Sequence, residues 1–144
     1  MRARGFTLVE LLVVLAILAL VTALIPSFLA GGQAKAELSA SAREIAAALH
    51  ETRSLAIREG RSEAFVVDGA AGAFRAAGGT PARRVAAGLR LSLLTLANKR
   101  LDVGSIRFFG DGSSTGGSVT ILQGERRSEV AVDWLTGRVS LAAR

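Results

Sequence analysis

The chain has 144 residues, of which half are hydrophobic, and its 18 lysines and arginines outnumber 12 aspartates and glutamates to give a formal net charge of +6. This length allows one modest domain with its own core beside a terminal segment. Cysteine is absent, which excludes disulfides and thiolate metal sites.

The first predicted element is a long apolar run, residues 6–30, whose only polar residues are two threonines, one serine and Glu10. Read as a helix, this run spans about 37 Å, which is enough to cross a bilayer. The short flank before it contains Arg2 and Arg4. Because basic residues stay on the cytoplasmic side, the pattern predicts a membrane anchor that begins in the cytoplasm and exports the rest of the chain.

Glu10 lies where an ionised carboxylate is costly, by a few kcal/mol even on lenient insertion scales. Cleavage between Gly5 and Phe6 would leave a new amine four residues before Glu10, about 6 Å away along a helix. A carboxylate that pairs with this amine, or with the amine of a neighbouring copy, is tolerated in a low dielectric. The competing interpretation is a plain signal anchor in which the glutamate has no role.

The stretch GFTLVE, residues 5–10, followed by an apolar helix, resembles the class III leader of type IV prepilins and type II secretion pseudopilins. The resemblance implies that a prepilin peptidase cuts after Gly5 and that Phe6 becomes the N-methylated first residue. It also implies that Glu10 guides the assembly of subunits into a filament, and that the fold is pilin-like.

Pro26 interrupts the apolar run, and a proline inside a helix removes a backbone donor and clashes with the preceding turn. We therefore expect a kink near residues 22–26. The kink is interpreted either as a bend used when helices pack in a filament or as the exit of the chain from the bilayer.

Helical periodicity returns after residues 30–37 and ends at Gly60. This amphipathic segment either continues the anchor as one helix or forms a second helix capped by Ser39 or Ser41. His50, the only histidine, is expected on its surface. The predicted apolar stripe, which we expect to pack against a sheet, consists of Leu38, Ala42, Ile45, Leu49, Thr52 and Ala56, with Ala46 and Ile57 alongside.

From residue 61 the pattern changes to short segments of strand type separated by glycines. The predicted strands are Glu63–Asp68, Ala73–Ala76, Leu89–Leu94, Ser105–Phe109, Ser118–Gln123, Glu129–Trp134 and Arg138–Ala142. The first two form a hairpin, and the turn Leu135-Thr136-Gly137 closes the last hairpin with a positive backbone angle at the glycine. Alternation assigns these side chains to buried faces: Ile106, Phe108, Val119, Ile121, Val130, Val132, Trp134, Val139 and Leu141.

The predicted fold class is therefore α+β, with a long N-terminal helix that packs on an antiparallel sheet or a two-sheet sandwich. The alternation does not decide between one sheet and two. The expected organisation is a cleaved basic leader at 1–5, a hydrophobic transmembrane and assembly helix at 6–30, an amphipathic helix at 31–60 and an exported β-rich domain at 61–144.

Two further segments resemble those that mark the H-type minor pseudopilins and the FimT-like pilins. These are FFGDGSSTGGSV, residues 108–119, and VDWLTGRVSL, residues 132–141. The first segment lacks the lysine and the following helix that a phosphate-binding loop needs, so we do not interpret it as such a loop. A calcium site needs several carboxylates, and this segment has only that of Asp111, so we expect no metal. We interpret the segment as a flexible connection between strands.

An enzyme is the class that the sequence favours least. It has neither a His-Glu-x-x-His motif nor a Gly-x-Ser-x-Gly motif. Glu125 and Glu129 lie in a polar strand connection, where both carboxylates are solvated, and we expect neither to act as a catalytic acid or base. We expect neither catalysis nor a cofactor.

The resemblance implies a minor pseudopilin, a structural subunit of the pseudopilus that exports folded proteins in type II secretion. Such a subunit spans the inner membrane once, with its N-terminus in the cytoplasm and its domain in the periplasm. The implied partners are the prepilin peptidase, the other major and minor pseudopilins, inner-membrane lipid and the secreted proteins.

The alternative is a FimT-like minor pilin that binds DNA during natural transformation. The candidate contacts are four arginines: Arg126, Arg127, Arg138 and Arg144. DNA-binding relatives resemble one another in closely spaced arginines after the Thr-Gly turn, whereas here the next arginine after Arg138 is delayed to the end of the sequence. Aromatic side chains that could stack on bases are scarce, since tyrosine is absent and Trp134 is expected to be buried.

Overall fold

The computed structural model describes residues 7–95, 100–101 and 103–143, with only the backbone described at 23–31, 100, 101 and 143. The chain divides into two compact units, Met1–Lys35 and Ala36–Arg144.

A single helix, α1, runs from Leu8 to Glu59 and has 52 residues. It ends as predicted at Gly60, whose φ is 62°. The N–H of Arg61 donates to the carbonyl of Ala56 at 3.3 Å, which is the backbone bond that commonly closes a helix ending in a left-handed glycine. No break occurs at Ser39 or Ser41, so the alternative of a second helix capped there is wrong.

Within the second unit, α1 buries the predicted stripe. Its buried residues are Leu38, Ala42, Ile45, Ala46, Leu49, Thr52 and Ala56, together with Ser41 and Ala48. Ile57, which was expected alongside them, is 44% exposed. One residue beyond Ala56 is a rotation of about 100° around a helix, and this rotation carries Ile57 to the rim of the stripe.

Nine antiparallel strands follow α1 in the described part of the second unit. They are β1 Glu63–Asp68, β2 Ala73–Arg75, β3 Arg83–Arg84, β4 Arg90–Leu94, β5 Arg100–Leu101, β6 Val103–Phe108, β7 Gly117–Gln123, β8 Arg126–Val132 and β9 Val139–Ala143. They form two sheets, one of order β3-β2-β1-β6 and one of order β5-β4-β7-β8-β9. All seven predicted strands are found, and the predicted hairpin of β1 and β2 is confirmed. Only β3 and β5 were not predicted, because two residues are too short to show an alternation.

One hydrophobic core joins α1 to both sheets. Its largest fully buried side chains include Phe65 and Phe74 of the first sheet and Ile45 and Leu49 of the helix. The rings of Phe65 and Phe74 lie 5.8 Å apart between centroids and are tilted by 32°. The fold is therefore the α+β class that the sequence predicts, with two sheets.

Two burial predictions for the last hairpin are wrong. Trp134 is 55% exposed because β8 ends at Val132 and the tryptophan lies in the following turn. Leu141 is 50% exposed although it pairs with the fully buried Val130. It lies on β9, which is at the edge of its sheet among the described strands. The remaining face assignments are confirmed, with Val139 partly buried against the core.

Thr52 supplies a hydroxyl inside this core. Its Oγ1 donates to the carbonyl of Ala48 at 2.8 Å and accepts the N–H of Ala77 at 3.2 Å. We expect Thr52→Val, which keeps the shape, to lower the free energy of unfolding by about 1–3 kcal/mol because the N–H of Ala77 loses its partner. Urea denaturation of the full chain in detergent, followed by circular dichroism, measures the change.

Thr52→Ser is the matched control, since it keeps the hydroxyl and removes only a methyl group. We expect it to cost less than Thr52→Val. Equal stability of Thr52→Val and the parent protein would show that the hydroxyl has no structural role.

Candidate functional site

The described helix begins with a reciprocal cap made by Thr7 and Glu10. The N–H and Oγ1 of Thr7 donate to Oε2 of Glu10 at 3.2 and 3.1 Å. In return, the N–H of Glu10 donates to Oγ1 of Thr7 at 3.2 Å. This is a capping box, and hydrogen bonding of this kind lowers the cost of removing a carboxylate from water.

The predicted cleavage site, Gly5 and Phe6, lies outside the described residues. Cleavage, methylation and the pairing of Glu10 with an amine therefore stay predictions. Pro26 lies within α1, but its side chain is not among those described, and the kink expected there also stays a prediction.

The described side chains of the first unit form an exposed apolar surface. Every large apolar side chain from Leu8 to Val21 is exposed, over a range of 46–79%. A helix that is apolar on all sides needs lipid or other helices around it. Among the described residues, no helix combines the length and the hydropathy that crossing a membrane requires.

In the second unit, Arg53 of α1 connects the two segments that carry the resemblance to H-type pseudopilins. Its Nε donates to the carbonyl of Gly112 at 3.1 Å, and its Nη2 donates to the carbonyl of Thr136 at 2.9 Å. One guanidinium therefore holds the loop between β6 and β7 and the turn between β8 and β9. We call Arg53 with residues 109–116 and 133–138 the Arg53 junction.

The loop and the turn of the Arg53 junction also bond directly to each other. The N–H of Ser114 donates to the carbonyl of Trp134 at 2.8 Å, and Oγ of Ser114 donates to the carbonyl of Asp133 at 3.0 Å. Thr115 donates its N–H to the carbonyl of Arg107 at 2.9 Å. The expected flexible connection is therefore a hydrogen-bonded loop.

Gly137 allows the loop after β6, the turn after β8 and the side chain of Arg53 to approach one another closely. Its φ is 61°, as the sequence predicted, and the turn is closed by its N–H, which donates to the carbonyl of Asp133 at 2.9 Å. A Cβ atom at this position would collide with the carbonyl oxygen of Gly112 and with Nε of Arg53. Glycine is required here both for its backbone angle and for space.

Two carboxylates stabilise the turns of the junction. Oδ1 of Asp133 accepts from Oγ1 and N–H of Thr136 at 2.7 and 2.8 Å, and these bonds lower the pKa of Asp133. Oδ1 of Asp111 accepts from Oγ and N–H of Ser113 at 2.6 and 2.9 Å, which lowers the pKa of Asp111. Hydrogen bonds favour the charged form in both cases.

Of the arginines proposed to contact DNA, the three that the structure describes lie at opposite ends of β8. Arg126 and Arg127 begin β8, and Arg138 follows the turn beyond its far end. Because β8 advances about 3.4 Å per residue, roughly 20 Å separates the two ends. Arg144 lies outside the described residues, and DNA binding by these arginines stays a prediction.

The other candidates are not brought together either. His50 is exposed on α1, and Glu125 lies at a hairpin tip while Glu129 lies within β8. Within the ranges that the structure describes, no group of three or more histidines, cysteines, aspartates or glutamates could hold a metal ion.

Three contributors were not singled out from the sequence: Thr7 as a cap, Arg53 and Asp133. A threonine three residues before a glutamate at the start of an apolar run is the signature of a capping box. An aspartate three residues before a threonine suggests a local turn. Arg53 had no such signal, because its partners are backbone carbonyls 59 and 83 residues away.

The long N-terminal helix and the two antiparallel sheets define a protein of pilin-like class. Residues 1–26 match the prokaryotic N-terminal methylation motif. Residues 41–136 match the family described as type II transport protein GspH. The chain belongs to this GspH family, which confirms the resemblance stated from its two signature segments and its leader.

Individual proteins agree with this assignment. The chain is 36% identical over 137 residues to the type II secretion system protein H of Xanthomonas campestris pv. campestris, covering 94% of this chain and 81% of that protein. Its fold is similar to the minor pseudopilin EpsH from the type 2 secretion system of Vibrio cholerae, with a TM-score of 0.58, 16% identity, and coverage of 74% of this chain and 97% of that chain.

A second structural neighbour comes from a pilus. The type IV minor pilin FimU of Pseudomonas aeruginosa matches with a TM-score of 0.59 and 16% identity, covering 75% of this chain and 90% of that chain. The architecture is thus common to a secretion pseudopilin and a type IV pilin.

The role of Arg53 can be measured with Arg53→Met, which keeps the apolar stem and removes both donors. We expect a loss of about 1–3 kcal/mol in the free energy of unfolding, because the carbonyls of Gly112 and Thr136 lose a charged partner. Hydrogen exchange read by mass spectrometry should show lost protection at residues 109–116 and 133–138. Arg43→Met, at an exposed position of the same helix, is the control; equal effects of the two variants would contradict the junction.

The turn at Asp133 predicts a dependence of stability on pH. Because its folded pKa is lowered, Asp133 contributes fully above the ordinary carboxyl pKa of about 3.9 and loses its contribution as the pH falls through the lower folded value. We expect Asp133→Ala to lower the melting temperature at neutral pH, with a smaller difference near pH ~2. Glu125→Ala is the exposed control. A difference that stays constant down to acid pH would contradict this role.

Proposed function

We propose that this chain is a minor pseudopilin, a structural subunit of a type II secretion pseudopilus that takes part in the export of folded proteins. Membership of the GspH family is the observation that carries the proposal. The 36% identity to a type II secretion system protein H supports the secretion system over a pilus. The activity proposed is assembly rather than catalysis.

The first proposed step is processing by a prepilin peptidase. The peptidase cuts after Gly5 and removes the basic leader, and Phe6 is N-methylated. The match of residues 1–26 to the N-terminal methylation motif supports this step. The cut leaves Thr7 as the second residue, so the cap between Thr7 and Glu10 lies directly beside the new amine.

The second proposed step is storage in the inner membrane. Residues 6–30 cross the membrane once, with the N-terminus in the cytoplasm and the sheet unit in the periplasm. The exposed apolar side chains from Leu8 to Val21 support this step, since lipid covers them before assembly and other helices cover them in the filament. The partners are therefore inner-membrane lipid and the other major and minor pseudopilins.

The third proposed step is docking into the filament, in which the carboxylate of Glu10 pairs with the amine of a neighbouring subunit. The cap occupies only one carboxylate oxygen, Oε2, with the two donors of Thr7. A carboxylate has two oxygens and can accept more than two hydrogen bonds, so it retains capacity for an incoming amine. In lipid this pairing replaces a costly lone charge.

The variants Glu10→Gln and Thr7→Ala separate the charge of Glu10 from its capping role. Glu10→Gln keeps an acceptor for Thr7 but removes the charge, and we expect it to lower incorporation into the pseudopilus by about tenfold or more. Thr7→Ala removes the cap and keeps the charge, so its effect should be smaller. The ratio of filament-bound to membrane-bound chain, read by immunoblot of sheared and membrane fractions, measures incorporation.

Both variants should enter the membrane at least as well as the parent chain, which a carbonate-resistant membrane fraction checks. Normal incorporation of Glu10→Gln together with failure of Thr7→Ala would show that the glutamate acts only as a cap. That result would overturn the charge-pairing step.

A further inference from the structure

A hollow of about 450 Å³ lies over β1, β2 and β3, and a second hollow of about 430 Å³ lies between the loops that follow β1 and β3. Ala71 and Arg84 border both hollows, which therefore lie side by side. Arg75 borders the first hollow and Arg90 the second. We call this pair of hollows the arginine groove.

The guanidinium groups of the arginine groove are not neutralised within the described chain. Arg75, Arg84 and Arg90 are exposed and take part in none of its ion pairs. Arg83, the residue before Arg84, differs because it pairs with Glu51 of α1 at 3.5 Å. Successive strand residues face opposite sides, so Arg83 is directed to the helix and Arg84 to the groove.

One carboxylate, that of Asp68, lines the groove, and its Oδ1 accepts the N–H of Ala71 at 2.9 Å. Three guanidinium groups against one carboxylate leave a surplus of positive charge. The groove is therefore complementary to an acidic ligand.

The floor of the groove is apolar and built from small residues. Val66, Ala71, Ala73 and Ala82 line the first hollow, and Ala73 is only 8% exposed. The second hollow is bordered by two loops of alanine and glycine, residues 69–72 and 86–88. Small side chains leave the loop backbone accessible to the backbone of an extended chain.

These features favour a peptide over a nucleic acid. Single-stranded nucleic acid binds on exposed aromatic faces, and Phe74, the aromatic residue that lines the first hollow, is 1% exposed. A peptide can place carboxylates on the arginines and small apolar side chains on the alanine floor. We propose that the arginine groove binds an extended acidic peptide segment of another protein.

This binding role goes beyond the proposed assembly role, since it involves neither Glu10 nor the apolar helix. A fluorescein-labelled peptide of alternating glutamate and valine is the probe, and the full chain in nonionic detergent is the protein. Fluorescence anisotropy at low ionic strength should give saturable binding that weakens as salt is added. The same peptide with glutamine in place of glutamate should bind at least about tenfold more weakly.

The double variant Arg75→Gln, Arg84→Gln should lose at least about tenfold in affinity for the glutamate peptide. The double variant Arg126→Gln, Arg127→Gln removes the same charge from an exposed hairpin and should stay within about twofold of the parent chain. Circular dichroism verifies that both variants are folded. Glu10→Gln should bind the peptide as the parent does, which separates this result from the assembly test.

Three results would overturn the proposal: equal binding of the glutamate and glutamine peptides, equal losses in the two arginine variants, or unchanged binding in Arg75→Gln, Arg84→Gln. An oligothymidylate competitor provides a further test. Displacement of the peptide by the oligonucleotide at lower concentration than by unlabelled peptide would assign the groove to nucleic acid instead.

Discussion

The buried stripe of α1 is the constraint on which the rest of the second unit depends. No strand pairing joins the two described sheets, and their apolar faces meet the helix in one core. Successive residues of a helix are rotated by about 100°, so three consecutive residues of α1 contact different partners. Glu51 pairs with Arg83, Thr52 bonds to Ala77, and Arg53 holds the loop after β6 and the turn after β8.

This arrangement gives a physical role to the two segments that resemble those of H-type pseudopilins. They are separated in sequence, yet Ser114 bonds to the turn at Asp133 and Trp134, and Arg53 bonds to both segments. Glycine at 137 leaves the space that this contact needs. The segments thus close the sheet domain onto its helix through hydrogen bonds to backbone carbonyls.

The periodic parts of the fold could be predicted from the sequence, because burial imposes a repeat on the stripe of α1 and on strands such as β1 and β7. Trp134 and Leu141 were misassigned because alternation does not reveal where a strand ends or which strand lies at an edge. Arg53 was missed because a bond to a distant backbone carbonyl leaves no pattern in the side chains. The leader was recognised because the N-terminal methylation motif is a short contiguous stretch of sequence, within residues 1–26.

We propose that the chain is a processed filament subunit that keeps its apolar helix. Mass spectrometry of the mature polypeptide, recovered from cells that contain a prepilin peptidase, can show whether this processing takes place. We expect a chain that begins at Phe6 and carries one methyl group on its amine. An intact Met1, or a chain that begins beyond Ala30, would contradict it.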